Sequence, residues 1–220
     1  MIQKPDSAGA FRRYTAEFIG TFFLVMAICM TVIGGAGNFA PLAIGVMLAV
    51  MVYAGGAISG AHYNPAVSVA AYLRGALHIS ELLPYILAQV LGGALAAMLA
   101  GFLVYSTGAA EPTPKELDVV PSLVAELLGT FALVYVVLNV ATSKKTAGNS
   151  YFGFAIGFTV LTCAYALGGI SGGAFNPAVA VGISMAGLAS WSSIWIFLVG
   201  NFVGGALAAF IFQYVNGPDA

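Results

Sequence analysis

Ser59-Gly60-Ala61-His62-Tyr63-Asn64-Pro65-Ala66-Val67 recurs as Ser171-Gly172-Gly173-Ala174-Phe175-Asn176-Pro177-Ala178-Val179, 112 residues further along the chain. The same offset of 112 carries Gly92-Gly93-Ala94-Leu95-Ala96-Ala97 unchanged onto Gly204-Gly205-Ala206-Leu207-Ala208-Ala209. Nearer the start of each half, Ala16-Glu17-Phe18-Ile19-Gly20-Thr21-Phe22 corresponds to Ala125-Glu126-Leu127-Leu128-Gly129-Thr130-Phe131 at an offset of 109, so a short insertion lies between. Similarity at a fixed spacing across most of a chain marks a duplication. The halves join at Glu111-Pro112-Thr113-Pro114-Lys115-Glu116-Leu117-Asp118, the most polar stretch, which reads as an exposed connection. This predicts a first repeat over about 12–108, a loop over about 109–120 and a second repeat over about 121–216.

Both halves read as membrane segments. Of the 220 residues 60% are hydrophobic and 7% charged, whereas a soluble domain carries about 25% charged residues. So few charges cannot cover a surface in water. No Asp, Glu, Lys or Arg occurs from Phe18 to Leu73, Leu82 to Ala110, Leu127 to Ser143, or Thr146 to Pro218. A spanning helix takes about 20 apolar residues at about 1.5 Å of rise each, so the first and last of these intervals hold more than one crossing. Spans are predicted near residues 14–35, 40–58 and 82–106, and near 121–142, 151–169 and 191–214. The run from Phe18 to Ile33 follows Arg12 and Arg13 as in a secretory leader, but it is long and has no convincing small-residue cleavage site. It is expected to remain as the first span.

Three crossings per half force the second copy to enter the membrane from the opposite side, so a tandem repeat becomes an inverted one in space. Under this topology Lys4, Arg12, Arg13, Arg74, Lys144 and Lys145 share the side of the amino terminus, and only Lys115 falls opposite. Basic loops favour the cytoplasm, which is expected to hold both termini.

The segments after the two Asn-Pro-Ala triplets, Ala66 to Leu73 and Ala178 to Ala186, are too short to cross a bilayer. Asn is a preferred N-cap, and Pro suits the first helical position because its missing N–H is not needed there. Asn64, Pro65, Ala66 and Asn176, Pro177, Ala178 therefore start half helices that re-enter from opposite faces. Irregular backbone at membrane depth is tolerated where it is buried in protein or lines a wet cavity, so Ser59-Gly60 and Ser171-Gly172-Gly173 point to a water-filled path. If the halves meet at the centre, both helix N-termini aim there with about half a positive charge each, which repels cations and hydronium. The asparagine amides are expected to stay free to donate to a passing neutral molecule, while carbonyls of the irregular segments accept.

One Asn-Pro-Ala triplet is a common cap, but two at equal places in an inverted duplication are specific. On these residues the chain resembles the aquaporin and aquaglyceroporin (major intrinsic protein) family over nearly its whole length. The resemblance implies an all-α membrane protein, a right-handed bundle of six transmembrane helices plus two re-entrant half helices. It further implies a single channel domain over 1–220, passing water and small uncharged solutes, without a cofactor. A homotetramer with one pore per protomer, in the plasma (inner) membrane of a prokaryote, is also expected.

In the family, glutamates matching Glu17 and Glu126 accept hydrogen bonds from the re-entrant loops. A charge within a span costs about 2.5–3.5 kcal/mol on insertion scales, and the competing reading makes these groups the proton carriers of a coupled transporter. His62 precedes Asn64 by two residues, as a histidine often does in the family, and a loop-packing role is expected ahead of gating. His78 is expected to be solvated in the turn it shares with Arg74 and Glu81. Small residues at Gly92, Gly93, Ala96 and Ala97, and at their counterparts in the second half, allow close helix approach. Cys29 and Cys163 lie in apolar runs without metal or redox spacing and read as inert thiols.

One departure from the family stands out. Its narrowest point is usually formed by four positions, one nearly always an arginine three residues after the second Asn. Here that residue is Val179, and ungapped counting gives Ile44, Ala164 and Gly173 as the others, with Cys163 or Tyr165 in place of Ala164 if the fifth span is shifted. Such a filter is expected to be wide and apolar and to pass glycerol, urea, ammonia or hydrogen peroxide besides water, although an apolar ring also slows water by dewetting. Inverted repeats also occur in secondary transporters, and a closed structural membrane protein is a third reading. No nucleophile with its base, no metal-ligand cluster and no phosphate loop appears, which disfavours an enzyme. A net charge of -1 without a basic stripe gives no reason to invoke nucleic acid.

Overall fold

The computed structural model describes residues 7–108, 110–114 and 116–217; Lys4 and Lys115, used above to orient the chain, lie outside them. The chain runs through α1 (Ser7–Ile33), α2 (Ala40–Ser59), the short α3 (Pro65–Arg74), α4 (Ile79–Tyr105), α5 (Val119–Ala141), α6 (Phe152–Ser171), the short α7 (Pro177–Met185) and α8 (Ile194–Asn216). Among the described residues, six of these helices are long and apolar enough to cross a membrane. With 10 and 9 residues, α3 and α7 reach about 15 Å, half of a hydrocarbon core about 30 Å thick.

Helix ends follow local chemistry. α2 and α6 both stop at a left-handed glycine, Gly60 at φ 87 and Gly172 at φ 92, a conformation that costs a residue with a Cβ about 1–2 kcal/mol. α3 and α7 both start at an extended asparagine followed by proline. α1 and α4 begin earlier than the hydrophobic pattern predicts, and polar side chains join the two helices near these ends. Arg13 Nη2 stands 2.8 Å from Glu81 Oε2, and Tyr14 donates to Glu81 Oε1 at 2.7 Å. Glu81 is consequently buried. His78 is half-buried rather than solvated, and its Nδ1 caps α4 by accepting from Ser80 N–H at 3.2 Å.

α1 packs on α4 and α5 packs on α8, with α2 against α6 across the middle. The half helices cross between repeats: α3 lies against α8 and α7 against α4. The paired glycines make this fit. Gly92 faces the Phe18 carbonyl and Gly204 the Leu127 carbonyl. A Cβ at Gly93 would stand 3.0 Å from the Ala178 oxygen, and one at Gly205 3.1 Å from the Ala66 oxygen. The outward side chains, such as Leu91, Met98, Phe102 and Phe210, are exposed and apolar, as a lipid-facing belt requires.

Gly92→Val or Gly204→Val therefore overpacks a helix crossing, at a cost of about 1–3 kcal/mol. Thermal loss of helical circular dichroism in detergent should shift to lower temperature for both. Gly168→Ala, where an added Cβ meets nothing within 4 Å, should leave the midpoint level or raise it.

Candidate functional site

Two irregular segments, residues 60–64 and 172–176, connect a spanning helix to a half helix at membrane depth. Their backbones are wound alike. Ala61 and Tyr63 take left-handed φ values of 52 and 51, and Gly173 and Phe175 take 69 and 49. Left-handed residues other than glycine cost about 1–3 kcal/mol each and persist only where the surroundings over-determine them.

The surroundings here are two buried carboxylates. Glu17 Oε1 accepts from Ser59 Oγ at 2.6 Å and from His62 N–H at 2.9 Å, while Oε2 accepts from Tyr63 N–H at 2.7 Å and from the Gln89 amide at 2.8 Å. Glu126 repeats the set, with Oε1 taking Ser171 Oγ at 2.6 Å and Ala174 N–H at 3.0 Å, and Oε2 taking Phe175 N–H at 2.7 Å and the Asn201 amide at 2.7 Å. The serine hydroxyls also accept, from Ala61 N–H and Gly173 N–H, both at 3.1 Å. Each carboxyl thus meets four donors and both its oxygens are occupied, an arrangement that fixes it as a hydrogen-bond acceptor. Gln89 and Asn201 were missed by the sequence reading. The signal existed, since the offset of 112 pairs these two side-chain amides.

The asparagines fasten the two segments to each other. Asn64 Oδ1 caps α3 through Ala66 N–H at 2.9 Å, and Asn176 Oδ1 caps α7 through Ala178 N–H at 2.9 Å. Each amide then reaches across: Asn64 Nδ2 donates to the Phe175 carbonyl at 2.9 Å and Asn176 Nδ2 to the Tyr63 carbonyl at 2.8 Å. The expectation of wholly free amides is half met, because one N–H of each side chain is spent on this lock and one remains. Tyr63 and Phe175 wedge behind the segments, Tyr63 against Gly20 and Gly55 and Phe175 against Gly129. Pro65 and Pro177 occupy the first helical turns, and Ala66 and Ala178 are buried against α8 and α4.

A cavity of about 220 Å³ passes the lock. At about 30 Å³ per water it has room for a short file of molecules. Ile44, Ala164, Gly173 and Val179 all line it, together with Asn64, Asn176 and His62. Cys163 and Tyr165 are not among its lining residues, and Tyr165 instead donates to the Asn38 carbonyl at the surface. His62 holds its Nδ1 3.0 Å from Ser68 Oγ. Aliphatic side chains make up most of the wall, and among the described residues no charged side chain lines it.

A family model described as major intrinsic protein matches residues 4–212. The chain belongs to the major intrinsic protein family. It is 38% identical over 222 residues to a maize (Zea mays) protein named Aquaporin NIP1-1, covering 94% of this chain and 77% of that one. It is 32% identical to the Glycerol uptake facilitator protein-like 6 of Lactiplantibacillus plantarum, covering 94% of this chain and 100% of that one. The X-ray structure of the aquaglyceroporin from Plasmodium falciparum superposes with a TM-score of 0.81 at 22% identity, covering 95% of this chain and 98% of that one, which shows the shared fold. Major intrinsic proteins are channels for water or small solutes such as glycerol and are not enzymes, and this chain is such a membrane channel.

Glu126→Gln replaces one acceptor oxygen by an amide whose N–H faces the loop's own N–H groups. The expected loss is about 1–3 kcal/mol for each donor left unsatisfied, read as a lower unfolding midpoint in detergent together with slower water flux in proteoliposomes. Glu17→Gln should behave the same way. A midpoint unchanged in both would show that the carboxylates do not hold the segments.

Proposed function

We propose that this channel passes water and small neutral solutes through a wide, apolar filter formed by Ile44, Ala164, Gly173 and Val179. The observation that carries the reading is Val179 on the wall of the passage, where the family usually places an arginine. Arginine at a constriction narrows it, offers up to five donors and adds a fixed positive charge. Valine does none of these, and Gly173 and Ala164 add little bulk opposite it. The filter then admits molecules of the size of glycerol, urea, ammonia or hydrogen peroxide, in line with relatives named both aquaporin and glycerol uptake facilitator.

Exclusion of ions falls to the centre. The N-termini of α3 and α7 meet at the asparagine lock, each with about half a positive charge. The remaining N–H of Asn64 and of Asn176 donates to the oxygen of a passing molecule, so a file of waters turns outward from the middle and cannot relay a proton through it. Pro65, Ala66, Pro177 and Ala178 set the two caps, and Glu17, Glu126 and His62 hold the loops. The basic residues Arg13, Arg74 and Lys145 lie at one end of the bundle, where they bond to Glu81, Thr142 and the Asn216 carbonyl. That end is the cytoplasmic one by the positive-inside rule, which puts both termini there. The exposed apolar flanks serve lipid and the neighbouring subunits of a homotetramer.

Stopped-flow swelling of proteoliposomes tests this. Wild type should pass glycerol as well as water, with no dependence on an imposed sodium or proton gradient. Val179→Arg should lower glycerol flux relative to water about tenfold or more, the scale on which steric fit discriminates. Water flux with exclusion of glycerol, urea, ammonia and hydrogen peroxide alike would refute the wide filter.

A further inference from the structure

The space along the passage is divided in two, and the division does not fall at the outer ring. The cavity that opens near Val32 and Pro41 continues past Ile44 and Val179 to the asparagine lock without a break. On the side of Arg74 and Lys144 its wall includes His62, Val67 and Val137, and also Ile156, which borders a further space of about 480 Å³ beside Lys144 and Asn149. His62, Val67 and Val137 also line the cytoplasmic vestibule, a separate space of about 650 Å³ that extends to Arg74 and Thr142. Among the described residues no other borders both spaces.

The duplication explains the asymmetry. At the offset of 112, Val67 corresponds to Val179 and Ile156 to Ile44, so these positions are equal in bulk. Ala61 stands where the other half has Gly173, and His62 where it has Ala174. The inner ring therefore carries a methyl group and an imidazole that the outer ring lacks, while Val137 of α5 answers to Ile28 of α1 at the offset of 109, and both line the cavity. His62 is held there. Its backbone N–H is bound to Glu17 at 2.9 Å, Nδ1 lies 3.0 Å from Ser68 Oγ, and its ring sits 5.2 Å from that of Tyr85.

We infer that the size-selecting constriction of this channel is the inner ring of His62, Val67 and Val137, on the cytoplasmic side of the asparagine pair. The inference rests on the reading of the chain as a neutral-solute channel. With the arginine gone from the outer ring, that ring admits what the inner ring then sorts. Two valines present an apolar wall and the imidazole edge one polar site, which fits a slim linear polyol that turns carbon to one side and hydroxyls to the other. Branched or longer solutes meet the imidazole and stop.

The test uses the full chain in proteoliposomes, with water, glycerol and the four-carbon polyol erythritol as probes. Val137→Ala should raise erythritol flux relative to glycerol about tenfold, at the lower end of what one or two carbons decide in an apolar fit. That shift should exceed the one produced by Ile44→Ala in the outer ring. Val137→Leu adds bulk instead and should lower glycerol relative to water by a similar factor, which decides the matter if Val137→Ala assembles poorly. A larger shift from Ile44→Ala than from Val137→Ala, or wild-type ratios in both Val137 variants, would overturn the inference. Failure of the underlying channel reading is distinct, since wild-type vesicles would then swell no faster than empty ones.

Discussion

A backbone N–H without a partner inside a bilayer costs several kcal/mol, and this protein places two non-helical segments at that depth. Everything else in the structure follows from satisfying them. One carboxylate per repeat collects two loop N–H groups, a serine hydroxyl and a side-chain amide, and thereby holds left-handed residues that would otherwise relax. A charge buried in a span is expensive by itself. Here the four donors around each carboxyl offset that cost, and the loops acquire a fixed shape.

Holding each segment is not sufficient, since the two must also meet. The asparagine side chains accomplish this with both of their polar atoms, the oxygen capping its own half helix and the nitrogen gripping the opposite segment. Cap and lock therefore depend on one another. The glycines of α4 and α8 let each half helix of one repeat settle against the last span of the other. The repeats are intertwined at their centre, which ties the position of the passage to the packing of both.

Near-symmetry in the scaffold makes the differences between the halves informative. Glu17 and Glu126, Gln89 and Asn201, and Asn64 and Asn176 perform matching tasks, because both loops face the same demand for hydrogen bonds. Side chains that face the passage are under no such demand, and it is there that His62 answers to Ala174 and Ala61 to Gly173.

The chain's apolar runs and its repeat were enough to locate six spans and two half helices, because hydrocarbon thickness sets helix length and the Asn-Pro pair sets a helix start wherever it occurs. α1 and α4 run longer than the apolar pattern predicts, and the ion pair between Arg13 and Glu81 that joins them is invisible to hydropathy. Glu17 and Glu126 were legible as odd charges in spans, whereas Gln89 and Asn201 were not, an uncharged amide in an apolar helix drawing no notice. Tertiary structure alone decided the lock, whose partners lie 111 and 113 residues apart, and placed Ala164 rather than Cys163 or Tyr165 on the cavity wall. Local sequence encodes where a helix begins and how long it is; which side chains face one another across the bundle depends on rotation and crossing of whole helices, and those are set only when all of them pack.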